Sequence, residues 1–221
     1  MTGLLALVGG AEFTAACTFD EELLAASGAS EVVVLPTGAA YEHPEELTAR
    51  AEGWFHGLGS SVRALDVLRR PDALDEANAA AVRDARFVYL AGRSPMHLRS
   101  VLMQSPVWDA LVEAWHGGAV VAGSVAGGQV LCDPMVDPRG GAFTVGLGLL
   151  QGVAVIPERN TWSDDALHRT RVLSTEGLVL LGVDEGTAVI RDADGRWRAA
   201  GAGSVTVHIG GVPAGLDDVH V

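Results

Sequence analysis

The run Ala119-Val120-Val121-Ala122-Gly123-Ser124-Val125-Ala126-Gly127-Gly128 carries the chain's clearest chemical signature. A short apolar segment passes into a glycine-flanked turn with the spacing of a nucleophile elbow, G-x-S-x-G. Such a turn holds its central residue at a strained tip, where a nucleophile is exposed beside the N–H groups that open the next helix. Here the frame reads G-S-V-A-G, and the tip position falls on Val125, which has no nucleophile. Ser124 is one residue removed, so its side chain is expected to point away from the tip. Cys17 and Cys132 are the other nucleophilic candidates. Cys132 reads as an apolar residue six positions into the helix after the elbow, and Cys17 lies close to a helix start, where a thiol can acidify. His168, Asp133 and Asp137 read as surface, turn or capping residues, whereas His97 follows the Arg93-Ser94-Pro95-Met96 turn near the expected pocket mouth, where a ligand role is the lesser alternative. Trp162 is a possible pocket wall, and the other four tryptophans read as packing residues. No H-x-x-H, C-x-x-C or H-E-x-x-H pattern occurs, so no metal site and no cofactor are expected.

The elements that must position these residues follow from the hydrophobic rhythm. Leu4–Val8, Glu31–Leu35, Val62–Val67, Phe87–Leu90 and Ala119–Ala122 read as buried strands. Amphipathic stretches alternate with them: Asp20–Ala26 after a Thr18 cap, Glu45–Leu58, Leu74–Ala85, Met96–Met103 and Trp108–His116. This alternation predicts βαβ units in an α/β fold, with a mostly parallel central sheet and helices on both faces. From Gly140 onward the texture becomes glycine-rich and strand-like, at Gly152–Ile156, Leu178–Val183, Thr187–Arg191, Trp197–Ala200 and Ser204–His208. These segments are expected to complete the sheet and add a small antiparallel C-terminal hairpin turning at Asp194-Gly195. One domain over residues 1–221 is the expected organisation. Ligands of such sheets sit beyond the strands' carboxyl ends. The candidate pocket is therefore Gly10, Glu12, Ala91, Gly92, Arg93, Ser94, Gly123, Ser124, Val125 and Ala126.

Composition narrows the chemistry further. All 15 basic residues are Arg, so the absent Lys removes a P-loop lysine, a Schiff base and a pyridoxal enzyme. A net charge of −13 without a basic run argues against nucleic acid and anionic membranes as partners. No apolar stretch approaches the roughly 18–20 residues of a membrane span. The start of the chain lacks a signal-peptide pattern, and two distant cysteines fit reduced thiols, so a cytoplasmic protein is expected.

The whole chain resembles the dipeptidase E and cyanophycinase family of serine peptidases. The resemblance rests on Val8-Gly9-Gly10, Val34-Leu35-Pro36-Thr37, Ala91-Gly92, the elbow and Val130-Leu131-Cys132-Asp133-Pro134-Met135. Two later segments add to it, Gly146-Leu147-Gly148-Leu149-Leu150-Gln151-Gly152-Val153 and Gly182-Val183-Asp184-Glu185-Gly186-Thr187-Ala188. It implies a class I glutamine amidotransferase-like, flavodoxin-like three-layer fold. It also implies that the family's Ser falls at Val125, its His at Glu158 and its orienting acid at Glu185. The oxyanion-hole glycine pair falls at Ala91-Gly92, followed by Arg93-Ser94. Two of three triad positions thus carry other residues. A pseudoenzyme or repurposed small-ligand-binding protein is the first expectation, with a cationic, peptide-like ligand suited to Glu12, Glu158 and Glu185. The alternative is an active hydrolase of Asp-X or β-aspartyl peptides with its nucleophile relocated to Ser124, Cys17 or Cys132. A structural role, as in a homodimer, is a third. Glu158 and Glu185 are expected to share a proton, to pair with Arg159 or Arg93, or to hold a metal or a basic ligand.

Overall fold

The structure, a computed structural model, describes residues 2–221. Five strands run parallel: β1 (Leu5–Val8), β2 (Glu31–Gly38), β3 (Ser61–Ala64), β4 (Phe87–Gly92) and β5 (Val120–Ser124). They lie in the order β1-β5-β4-β2-β3, and β1 is extended on its other edge by the antiparallel strands Thr187–Arg191 and Trp197–Gly201, giving seven strands in all. The alternation of side chains along each strand separates two cores. Leu5, Leu7, Val33, Leu35, Val88, Leu90 and Val121 face one layer with Val101, Ala110 and Leu111. Ala6, Val8, Val32, Val34, Phe87, Tyr89 and Ala122 face the other, against Leu23, Ala51 and Phe55. Helices therefore cover both faces of a mostly parallel sheet, as the strand–helix rhythm predicts. The Asp194-Gly195 turn closes the Thr187–Gly201 hairpin, with Gly195 at φ 89°.

Three local expectations are corrected. The Leu74–Ala85 helix is shorter, Glu76–Arg83, because the Asp75 carboxylate caps it by accepting from the Ala77 N–H, and a separate short helix, Arg70–Ala73, precedes it. Thr18 makes no side-chain cap bond at the start of the Phe19–Ser27 helix. The third is topological: Val153–Ile156, Val179–Val183, Val205–Ile209 and Val212–Ala214 do not complete the main sheet but form a second, four-stranded one. Period-2 patterning marks a strand without naming its partner, so either sheet fitted the sequence. No helix among the described residues is long and apolar enough to cross a membrane.

Candidate functional site at the elbow

β5 ends at Ser124 in the middle of the main sheet, and the helix Ala126–Leu131 starts immediately after it. Only Val125 lies between, at φ 49° and ψ −103°. Positive φ is an outlier for a β-branched residue, and conformations of this kind cost about 1–3 kcal/mol. The turn is fixed from both sides: the Val125 N–H donates to the Val8 carbonyl (3.1 Å), and its carbonyl accepts from the Gln129 N–H (3.0 Å). A Cβ at Gly123 would stand 2.5 Å from the Gly127 carbonyl carbon, so the strand and helix meet only because position 123 is glycine. The tip therefore presents an isopropyl group, 5% exposed, where an elbow presents its reactive atom.

Glu158 faces this tip. It leaves the strand Val153–Ile156 at φ 49° and ψ 34°, and its N–H donates to the Gly9 carbonyl at 2.7 Å. A Cβ placed on Gly10 would lie 3.0 Å from Glu158 Cγ and 3.3 Å from Val125 Cγ2, so the three residues converge. The Glu158 carboxylate is bound by the Arg93 guanidinium, at 2.6 Å to Oε1 and 2.7 Å to Oε2. Beside Glu158, with Glu12 and Glu42 nearby, that guanidinium holds its proton more firmly than usual. Glu185 does not join Glu158 as a repelling pair. Its Oε2 accepts from Asn160 Nδ2 at 3.0 Å, and its N–H donates to Asn160 Oδ1 at 2.9 Å. Arg159 turns away to Asp184, which it binds through Nε (2.7 Å) and Nη2 (2.8 Å). Of the arrangements open to Glu158, pairing with Arg93 is thus the one present. A carboxylate held in this way binds cations; it is a poor proton acceptor for a hydroxyl.

Beneath the tip lies a polar cluster. Ser124, wholly buried, points down as its place in the turn predicts, and its Oγ donates to Glu12 Oε2 at 2.8 Å. Cys17 is buried against the Ala11 carbonyl (Sγ–O 3.2 Å), and burial, with Asp20 adding to it, pushes its thiol up to about 12. The acidification expected near a helix start is thus reversed by desolvation. Asp20, also fully buried, accepts from Trp54 Nε1 at 2.9 Å through Oδ2, while its Oδ1 and the Tyr89 hydroxyl have no partner. Burial raises the Asp20 carboxyl from 3.8 to about 7, against the Trp54 hydrogen bond that favours the anion. Sequence reasoning missed Asp20, Trp54 and Tyr89. Asp20 sits in the first turn of its helix, where an acid is ordinary, and nothing local reveals that Trp54 roofs it.

The remaining candidates scatter. The Arg93 and Ser94 N–H groups both donate to the Gly38 carbonyl (3.1 and 2.9 Å), so neither serves an anion at Ala91-Gly92. His97 lies 2.9 Å from the Leu68 carbonyl and packs edge-on to Tyr41. His168 belongs to the exposed helix Asp164–Val172. Cys132 follows the elbow helix rather than lying within it, since that helix ends at Leu131; its thiol is buried and pushed up. Asp133 accepts from the Gly146 N–H, Asp137 pairs with Arg139, and Trp162 lines a separate cleft with Gly141 and Ala166. Among the described residues, no three His, Cys, Asp or Glu side chains are placed to hold a metal ion.

A strand–turn–helix elbow at the carboxyl ends of a parallel sheet, facing a loop from a second sheet, defines a peptidase-like α/β protein. Comparison with known proteins makes this particular. The model of peptidase family S51 matches residues 4–196, and the chain belongs to that family. Cyanophycinase of Synechococcus elongatus is 25% identical over 223 residues, covering 93% of this chain and 67% of the relative. That of Trichormus variabilis is 26% identical over 194 residues, covering 82% and 64%. The chain thus spans about two thirds of the length of these relatives. A crystal structure of a peptidase from an acI-B1 Actinobacterium superposes with a TM-score of 0.83 at 30% identity, over 95% of this chain and 91% of that one. A putative peptidase E protein from Listeria monocytogenes EGD-e shares the fold, with a TM-score of 0.65 at 14% identity and coverage of 95% and 99%.

Proposed function

We propose that this S51 family chain lacks serine-peptidase chemistry and keeps the elbow mouth as a binding site for a small, cationic, peptide-like ligand. The observation that carries the reading is the tip itself: Val125 holds the strained position, and the carboxylate facing it, Glu158, is bound to Arg93 rather than free to take a proton. A serine needs a base such as a neutral imidazole, and no histidine contacts either residue among the described hydrogen bonds. The mouth's charge supports the choice of ligand, since Glu12, Glu42 and Glu158 surround the single guanidinium of Arg93. A basic ligand group would take Arg93's place on Glu158, a swap of one charge-assisted contact for another.

The relocated-nucleophile reading is opposed by burial. Ser124 is inaccessible to a substrate despite its hydrogen bond to Glu12, and both thiols are buried and hold their protons. The test is direct: incubation with a fluorophosphonate probe and with Asp-X and β-aspartyl dipeptides. No labelling and no cleavage are expected; turnover that survives purification and disappears in Ser124→Ala would overturn the proposal. For the ligand, calorimetry with arginine-containing dipeptides should show binding that Glu158→Gln removes.

A further inference from the structure

A second cavity, of about 250 Å3, lies on the second sheet, away from the elbow turn. Its floor follows from strand register. Leu180 stands opposite His208 and Gly182 opposite Thr206 across the antiparallel pair, while Ile156 stands beside Gly182 across the parallel one. These five residues share one face because they alternate with Val155, Leu181 and Val207, which enter the main core. The helix Asp164–Val172 closes the cavity from above with Leu167 and Arg171, which project together as an i, i+4 pair. Gly182 keeps the space open. A Cβ there would stand 2.5 Å from Thr206 Oγ1 and 2.6 Å from Arg159 Cδ, so only glycine lets the Arg159 stem cross the strand on its way to Asp184.

The polar groups around this apolar floor are of one kind. Among the described residues, no carboxylate reaches Arg171, whose Nη2 lies 3.1 Å from His168 Nδ1. Neither Thr206 Oγ1 nor the His208 ring has a protein hydrogen-bond partner there. Burial, with the Arg171 charge second, holds the His208 imidazole below its ordinary value. Of the two arginines that line the cavity, Arg159 is taken by Asp184. In a chain of net charge −13, a cavity with an uncompensated guanidinium and no free acid is a local reversal of sign. Its volume lies below the roughly 300–1,000 Å3 of sites for drug-sized ligands, so the occupant is small.

We infer that this cavity is a binding site for a small monocarboxylate with a short branched apolar tail, its carboxylate on Arg171 and Thr206 and its tail on Ile156, Leu167 and Leu180. The site is independent of the proposal for the elbow, which concerns a cation at Glu158. Titration calorimetry on the full chain with 4-methylpentanoate tests it, with 4-methylpentanamide, isopentylamine and acetate as comparators. Saturable binding of 4-methylpentanoate is expected, with the amide, the amine and acetate each weaker because each lacks the charge, its sign or the tail. Arg171→Gln, a near-isosteric change at a half-buried position whose guanidinium no carboxylate pairs, should weaken binding by about tenfold or more while leaving the melting temperature of the free protein unchanged. Arg171→Lys should recover part of the loss. Equal binding of the amide or the amine overturns the inference, as does unaltered affinity in Arg171→Gln. Loss of binding in Arg93→Gln but not in Arg171→Gln also overturns it, since the carboxylate would then sit at the elbow.

Discussion

The two sides of the elbow hold similar residues in opposite states. Above the tip, the mostly buried Glu158 is paired with a guanidinium and the exposed Glu185 with an amide. Below it, Ser124, Cys17, Asp20 and Tyr89 are packed into the sheet–helix layer, and the half-buried Glu12 reaches Ser124 from the mouth. There desolvation dominates: the Asp20 carboxyl is raised to about 7, the Cys17 thiol to about 12, and the Tyr89 hydroxyl is raised as well. Residue type therefore does not decide which groups are available for chemistry. The reactive groups lie where they keep their protons, and the accessible groups are already engaged.

Both sides depend on the turn that separates them, so the largest effect should come from the turn. A Cβ on Gly127 would fall onto the carbonyl oxygen of Leu90, which is backbone of β4 and cannot swing aside. Gly127→Ala should cost about 3 kcal/mol or more, at or beyond the upper end of ordinary overpacking. Denaturant unfolding reads this, and a midpoint within error of the wild type would mean that the elbow backbone is not fixed as described.

The underside should next show itself in thiol chemistry. With its thiol at about 12 rather than 9.0, Cys17 holds about a thousandfold less thiolate at pH 8 than an ordinary cysteine. Alkylation by iodoacetamide of the native protein should be slower by at least that factor than in denaturant. Rapid native labelling at Cys17 would show an underside open to water.

Asp20 supplies the pH dependence. A carboxyl whose folded value, about 7, exceeds its unfolded 3.8 binds its proton more tightly in the native state. Its contribution to stability is thus full below about pH 4 and is lost as pH rises through 7, a change on the order of 4 kcal/mol. In Asp20→Asn this loss should vanish. The stability of the variant relative to wild type should then climb from pH 4 to pH 8 and level off above; parallel profiles would place the Asp20 charge in contact with water.

This contrast also marks what the sequence makes legible. The parallel sheet, its helices and the elbow were readable because burial imposes period 2 on strands and because glycine is required at Gly123 and Gly127. The tip residue, Val125, was readable for the same reason. Partners are less so. The sequence offers Arg93 to Glu158 only as one of several arrangements, since the two lie 65 residues apart, and the 112 residues between Glu12 and Ser124 leave no local pattern for that pair. A proton shared by Glu158 and Glu185 is one of those arrangements, offered because the resemblance maps both acids to one site; Asn160, lying between them in sequence, takes Glu185 instead. The second sheet escaped notice because its strands alternate like any others.

The smallest effects should separate the two sides most cleanly. Ser124→Ala leaves the Glu12 carboxylate without its buried donor, a loss of about 1–2 kcal/mol. Arg93→Gln breaks the shorter, fully ionic contact, yet the Arg93 side chain is 59% exposed, so solvent screening should hold its cost below about 1 kcal/mol. Salt sharpens the distinction. Raising ionic strength to 1 M shortens the screening length to about 3 Å, which should erase most of the Arg93→Gln effect while leaving that of Ser124→Ala in place. Unfolding free energies of both variants at low and high salt provide the measurement. If Arg93→Gln costs more than Ser124→Ala at both, the mouth is a buried electrostatic clamp, and a basic ligand could displace Arg93 from Glu158 only against that clamp.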